Sequence, residues 1–219
     1  MKPSMALGTA LCCLVLSGGI GCRQLGYLLY TVTPEPTENV PAEFNRLDDK
    51  KVAILVWAQP ETMLQFPHVR LELASQIEYQ LKQRLKNTQV VPAEQVADYQ
   101  NRNLNWDAVP PTQIGRQFGA DYVVFVELLE YSTRDPRTPG LFSGRARASV
   151  VVHDVADPTA RWSLTPEVVQ YPTGRAKLAN ADDTTIHRQL LEALASRIVL
   201  KFYDHEVPRD KHSREQGNG

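Results

Sequence analysis

The sequence predicts an α/β (α+β) fold, a mixed β-sheet of about five strands in the order β-α-β-α-α-β-β-β-α with helices packed on the sheet. Three observations carry that prediction. Two apolar runs of strand length, at residues 51–57 and 122–131, alternate with stretches whose apolar residues recur at helical spacing. A period of two follows over residues 145–152, the pattern of a strand with one dry face. A final stripe of large apolar residues, four apart, gives a long helix close to the carboxyl end.

Lys51-Val-Ala-Ile-Leu-Val-Trp57 shows no polar alternation, so it is expected to be buried on both faces and central in the sheet. Val69, Leu73, Ile77, Leu81 and Leu85 then recur every four residues, with Arg70, Glu72, Gln76, Glu78, Lys82 and Arg84 between them. That is an amphipathic helix, and Pro67 is expected to open it. Thr88-Gln-Val-Val91 reads as a short strand, and Pro92 starts a brief helix through about Tyr99. After an irregular stretch at 101–110, Pro111-Thr-Gln-Ile-Gly-Arg-Gln-Phe118 is a second short helix that stops near Gly119.

Asp121 leads into the strand Tyr122-Val-Val-Phe-Val-Glu-Leu-Leu-Glu-Tyr131, and residues 136–140 are turn-rich. Ala146, Ala148, Val150 and Val152 alternate with Arg145, Arg147, Ser149 and Val151, so one face is dry and the other partly wet. A turn at 154–159 leads to the hairpin partner Ala160-Arg-Trp-Ser-Leu164. From about Asp183, Ile186, Leu190, Leu194, Ile198 and Phe202 share one helical stripe. Burying each contributes roughly 1.5–3 kcal/mol, enough to hold the helix on the sheet.

The amino terminus has a different character. Lys2 precedes the apolar run Met5-Ala-Leu-Gly-Thr-Ala-Leu-Cys-Cys-Leu-Val-Leu16, and the small residues Ser17, Gly18, Gly19 and Gly21 lead to Cys22. This is the three-part layout of a secretory signal, too short for the ~20 residues of a spanning helix. A small residue followed by cysteine resembles the bacterial lipobox, although Gly19 stands where that pattern usually has Leu. The resemblance implies cleavage after Gly21 and a covalent diacylglycerol and acyl chain, such as palmitate, on Cys22. It also implies an outer-membrane anchor with the domain facing the periplasm, because Arg23 and not Asp follows the cysteine.

Gly26-Tyr-Leu-Leu-Tyr30 either sits at the headgroup level or packs on the domain. With Pro34, Pro36 and Pro41 downstream, the expected organisation is a leader at 1–21, a lipidated terminus and tether at 22–49, the α/β domain at 50–204 and a disordered polar tail at 205–219.

Several chemistries are excluded. The formal charge is -1, and nothing interleaves basic with aromatic residues, so no nucleic-acid partner is expected. Cys12, Cys13 and Cys22 all precede the domain, which leaves it no disulfide and no thiolate. No histidine pair has metal-ligand spacing, and His68 with Glu72 on one helix face is explained by a solvated turn. Ser75, Ser149 and Ser163 lack a nucleophile elbow, and Gly140, Gly144 and Gly174 form no phosphate loop. A glycosidase-type carboxylate pair stays open: Glu127 and Glu130 are three apart on a strand and are expected to face opposite sides, and charged residues at the strand's wet end are the simpler reading. No catalytic residue, metal site or cofactor beyond the lipid on Cys22 is therefore assigned.

One binding candidate remains. In open α/β sheets ligands sit beyond the carboxyl ends of the strands, which makes Trp57, Gln59, Trp106 and Asp107 the candidate lining of a small cleft, with residues 58–67 as its lid.

The run Ile114-Gly-Arg-Gln-Phe-Gly-Ala-Asp-Tyr-Val-Val-Phe-Val126, together with Val152-His-Asp154 and Trp162, resembles the curli-secretion-channel lipoprotein superfamily. That superfamily includes the lipoprotein activator of a penicillin-binding protein and the amino-terminal domain of the Tol-system propeller protein, and the likeness covers roughly residues 50–203. The entry Val40-Pro-Ala-Glu-Phe-Asn-Arg-Leu47 with Lys50-Lys-Val-Ala-Ile-Leu-Val-Trp57 is also similar to a set of planctomycete lipoproteins. The expected function is a non-enzymatic, membrane-anchored envelope lipoprotein, a protein-binding scaffold or an assembly- or secretion-associated component. Its partner is then an envelope protein or a second copy in a homo-oligomer. The alternative is an envelope small-ligand binder or hydrolase that uses the cleft near Trp57.

Overall fold

The computed structural model describes residues 37–134, 142–172 and 182–208. Gly21, Cys22 and the Gly26-Tyr-Leu-Leu-Tyr30 segment lie outside the described residues. The chain divides into two units, residues 39–205 and a second unit whose described residues are 37–38 and 206–208.

In chain order the elements are β1 (Thr37–Val40), β2 (Lys51–Ala58), α1 (Pro60–Gln65), α2 (Val69–Arg84), β3 (Gln89–Val90) and α3 (Ala93–Arg102). A 3-10 turn at Trp106–Ala108 precedes α4 (Pro111–Phe118), β4 (Tyr122–Arg134), β5 (Phe142–Asp154), β6 (Arg161–Tyr171) and α5 (Asp183–Val199). A second 3-10 turn (Leu200–Phe202) leads to β7 (His205–Pro208). β1 and β7 pair as a two-stranded sheet, with the Thr37 hydroxyl donating to Glu206 Oε2 at 2.9 Å.

The five-stranded sheet has the order β3-β2-β4-β5-β6. β2 runs parallel to both β3 and β4, while β4, β5 and β6 form an antiparallel meander. This is the mixed sheet that the alternation of elements predicts. β2 lies between two neighbours with Val52 to Val56 fully buried, as expected for a strand without polar alternation.

The two faces of the sheet are covered unequally. On one, α2 and α5 lay Leu73, Ile77, Leu81, Leu190, Leu194 and Ile198 on Val52, Ile54, Val124, Val126, Ala148 and Val150. On the other, α3, the first 3-10 turn and α4 bury Val96, Trp106 and Ile114 against Ala53, Leu55 and Val123. That second layer stops at β4. Beyond it Arg145, Arg147 and Ser163 are exposed, and Ser149, Val151 and His153 are half-exposed.

Gly115 sets how closely α4 approaches the sheet, because a Cβ there would lie 2.6 Å from both Val123 Cγ2 and Val155 Cγ2. Gly119 caps the same helix at φ 61°, the left-handed conformation that glycine adopts without a steric penalty.

Several local expectations are corrected. Pro67 does not open α2, which begins at Val69 after a turn closed by the Phe66 N–H to Thr62 O at 2.8 Å and the Val69 N–H to Phe66 O at 3.1 Å. The segment read as a lid loop contains α1, with Pro60 at its first turn where a missing N–H costs nothing. β6 runs on to Tyr171 in place of ending at Leu164. Pro166 is tolerated because β6 is an edge strand and the register shifts between Ala148 and Val150, where Thr165 and Pro166 together face Ser149.

A second register shift, between Leu128 and Glu130, overturns the expectation that Glu127 and Glu130 face opposite sides. Glu127 pairs with Ser149 and Glu130 with Arg147, positions two apart on β5, so the extra residue puts both carboxylates on one face. Finally, Phe44 and Leu47, inside the stretch read as a tether, are 4% and 1% exposed and belong to the core.

Candidate functional site

Where the second helical layer stops, a cleft of about 340 Å³ opens on the sheet. Its position follows from local chain geometry. α3 runs alongside β2, with Gln100 Nε2 donating to Val56 O at 3.1 Å. The chain then turns over through Trp106–Ala108, and Pro111 at the first turn of α4 sends it back toward the start of β4. Trp106, Val109, Pro111 and Ile114 thereby form a wall, and Leu55, Phe125 and Val151 form an apolar floor. Asp107, Glu127, His153 and Arg161 supply the polar lining.

The candidate residues separate as follows. Trp106 is buried and lines the cleft, with the Arg70 guanidinium 5.8 Å from its ring centroid. Asp107, also in the lining, acts electrostatically on Arg70. Trp57 packs against the same apolar cluster as Trp106 but does not line the cleft. Gln59 is exposed and caps α1, its carbonyl accepting the Met63 N–H at 3.0 Å.

Phe125, Glu127, His153 and Arg161 complete the site and were not among the candidates. A usable signal existed in the period of two along β5, which puts Ser149, Val151 and His153 on its wetter face. The hairpin register that brings Arg161 opposite His153 supplies the rest. Glu127 Oε2 accepts from the Ser149 hydroxyl at 2.9 Å. His153 meets Phe125 edge-on at 6.4 Å, and its own burial, followed by the charge of Arg161, holds its pKa below the ordinary imidazole value. At neutral pH it is a neutral ring with one donor and one acceptor.

Two further polar clusters hold the other layer. The Tyr131 hydroxyl hydrogen-bonds His187 Nδ1 at 2.8 Å, His187 Nε2 meets Glu72 Oε2 at 2.7 Å, and Phe66 stacks on the imidazole at 5.3 Å. Glu72 thus serves α5 and not its helix neighbour His68. Burial, then the nearby Glu72 charge, raises the Tyr131 pKa far above the ordinary range, so the phenol stays protonated and the trio ties α2 and α5 to β4. Tyr131→Phe is expected to destabilise the unit by about 1–3 kcal/mol, the cost of leaving His187 Nδ1 without its partner, as a lowered urea midpoint at unchanged slope. The second cluster, around Lys201, ties Glu43 to β6 and the end of α5.

Among the described residues, no group of three or more His, Cys, Asp or Glu is arranged to hold a metal ion, and no helix is long and apolar enough to cross a membrane.

No protein-family model and no curated protein matches the sequence. Solved structures do show similarity. Lipoprotein GNA1162 from Neisseria meningitidis is 16% identical, with 68% of this chain and 96% of that chain covered at a TM-score of 0.45. A PelC dodecamer from Paraburkholderia phytofirmans is 13% identical, with 77% and 96% covered at 0.44. The hypothetical protein CT253 from Chlamydia trachomatis is 17% identical, with 69% and 96% covered at 0.37. These are similarities of chain path.

Proposed function

We propose that the chain is a non-enzymatic envelope lipoprotein, held to a membrane through Cys22, whose folded unit is a protein-binding scaffold or an assembly- or secretion-associated component. The observation that carries this reading is the junction Gly21-Cys22 at the end of a charged, apolar and then small-residue leader. Two or more acyl chains on one cysteine anchor a protein stably, where a single chain does not. The absence of Asp after the cysteine favours the outer membrane, with the unit facing the periplasm. The half of the sheet left open beyond β4 offers a surface for an envelope protein or a second copy.

Mass spectrometry of the native product is expected to show a chain that begins at Cys22 and carries the diacylglycerol and acyl mass. Cys22→Ser is expected to move the protein from the membrane pellet to the soluble fraction or to leave it as uncleaved precursor. An unmodified Cys22 thiol in the native product overturns the anchor.

A second reading, that the cleft beside Trp106 takes a small ligand, is supported by its apolar floor and converging polar groups, the usual composition of a small-molecule site.

A further inference from the structure

The polar groups of the cleft have bonding capacity left over, unlike Arg145 and Arg147 on the same face of β5. Arg134, Arg145, Arg147 and Arg197 each pair with a carboxylate. Among the described residues Arg161 and His153, side by side on β6 and β5, make no side-chain hydrogen bond and no ion pair. Glu127 receives one hydrogen bond, from Ser149, on one carboxylate oxygen, and its other oxygen receives none. Asp107, the remaining acid, lies near Arg70, which offsets its charge.

The register orders these groups along the cleft. Glu127 sits opposite Ser149, Phe125 opposite Val151, and Arg161 opposite His153. Ser149, Val151 and His153 are successive residues on one face of β5, so an acid, an apolar step and a base follow one another along the floor. At about 3.3 Å per residue the two charged ends are separated by roughly 13 Å along the strand, before their side chains reach inward. Trp106 closes the apolar step from the side.

We propose that this cleft binds a small zwitterion whose amine and carboxylate stand at opposite ends of an apolar body, the chemistry of a di- or tripeptide. The ligand carboxylate meets the Arg161 guanidinium, a planar fork matched to two oxygens, and the His153 N–H. Its ammonium meets the free oxygen of Glu127, and its side chain lies on Phe125 and Val151. A volume of about 340 Å³ is near the lower end for ligand sites and suits two or three residues. A neutral His153 suits this role, since it adds a donor without a second positive charge.

This inference rests on the ligand-binding reading of the cleft, and the test separates the two. The full chain, purified in detergent, is titrated calorimetrically with Leu-Ala and Ala-Leu-Ala, and with their N-acetylated and C-amidated forms. The free peptides are expected to give saturable heat, and each cap is expected to weaken binding by about tenfold or more. In Arg161→Ala the difference between acid and amide shrinks to what the His153 N–H alone supplies, and in Glu127→Gln the difference between amine and acetyl disappears, with circular dichroism unchanged in both.

If free and capped peptides bind alike, the zwitterion assignment falls and the ligand cleft stands. If no peptide binds, the assignment falls as well. Titration with indole, with Val151→Trp as the variant that fills the floor, then decides the ligand reading by itself.

Discussion

Lys201→Ala is expected to lower the unfolding free energy by about 3–5 kcal/mol, the range for removing one partner of a buried ion pair. Lys201 is 5% exposed, and its ammonium donates to Glu43 Oε1 at 2.7 Å and to Glu167 Oε1 at 2.8 Å. Arg197 reaches Glu167 at 3.3 Å from its exposed side, and Glu43 Oε2 accepts the Thr165 N–H at 2.7 Å. Without the lysine, the carboxylates of Glu43 and Glu167 still converge on the buried position its ammonium held, and only Arg197 is left to pair with Glu167. Denaturant unfolding is expected to show a lower midpoint. Lys201→Met combined with Glu43→Leu and Glu167→Leu is expected to recover most of the loss, because the penalty lies in the unpaired charges and not in the volume. Failure of that triple variant to recover assigns the loss to packing.

The same cluster sets a pH window. Burial alone would raise the Glu43 pKa, but the hydrogen bond and charge of Lys201 and the Thr165 N–H bring it below its ordinary value of 4.5. A carboxyl group lowered on folding stabilises above its unfolded pKa and loses that contribution as pH falls through the folded one. Burial alone would likewise lower the Lys201 pKa, and the hydrogen bonds to Glu167 and Glu43 reverse this and raise it above 10.5. An amine raised on folding stabilises fully below its unfolded pKa and loses the contribution as pH rises through the folded one. Glu43 and Lys201 therefore contribute fully between about pH 4.5 and 10.5, and the contribution is lost progressively as pH moves below or above those limits.

The parts of this fold that were legible in the sequence are those whose causes are local. The stripe from Ile186 to Phe202 and the four-residue recurrence from Val69 to Leu81 each repeat one physical constraint several times, and both are helices packed on the sheet. Gly119 carries its stop signal in a single residue, because no other residue adopts φ 61° so readily. What was not legible depends on register. One extra residue near Leu129 decides that Glu127 and Glu130 share a face, and composition contains no trace of it. The Glu72–His187 contact joins residues 115 apart, so only the packing of α2 beside α5 could bring it to light. The cleft was half legible for the same reason. Trp106 and Asp107 sit in an irregular segment that invites a site, whereas Phe125, His153 and Arg161 read as strand residues until the open half of the sheet is seen.

Phe44→Ala is expected to destabilise the unit by about 3–5 kcal/mol, as much as removing an interior aromatic anywhere in a core. Its ring meets Trp162 at 4.9 Å, Tyr122 at 5.5 Å and Phe202 at 6.5 Å, which joins β6, β4 and the end of the last helical segment around one side chain. Its backbone N–H also donates to Lys201 O at 3.0 Å, so residues 43 and 44 bind both to the carbonyl and to the ammonium of one lysine. A passive linker makes no such contacts. A chain begun at residue 50 loses Glu43, Phe44 and Leu47 together, and leaves the Trp162 ring bare where the Arg46 guanidinium now lies 5.1 Å from its centroid. It is expected to unfold at a much lower denaturant midpoint than a chain begun at residue 39, with new exposure of Trp162 visible as a red-shifted emission in the native baseline. Equal midpoints for the two chains would mean that residues 41–47 only rest on the domain, and that the tether reaches as far as residue 49 after all.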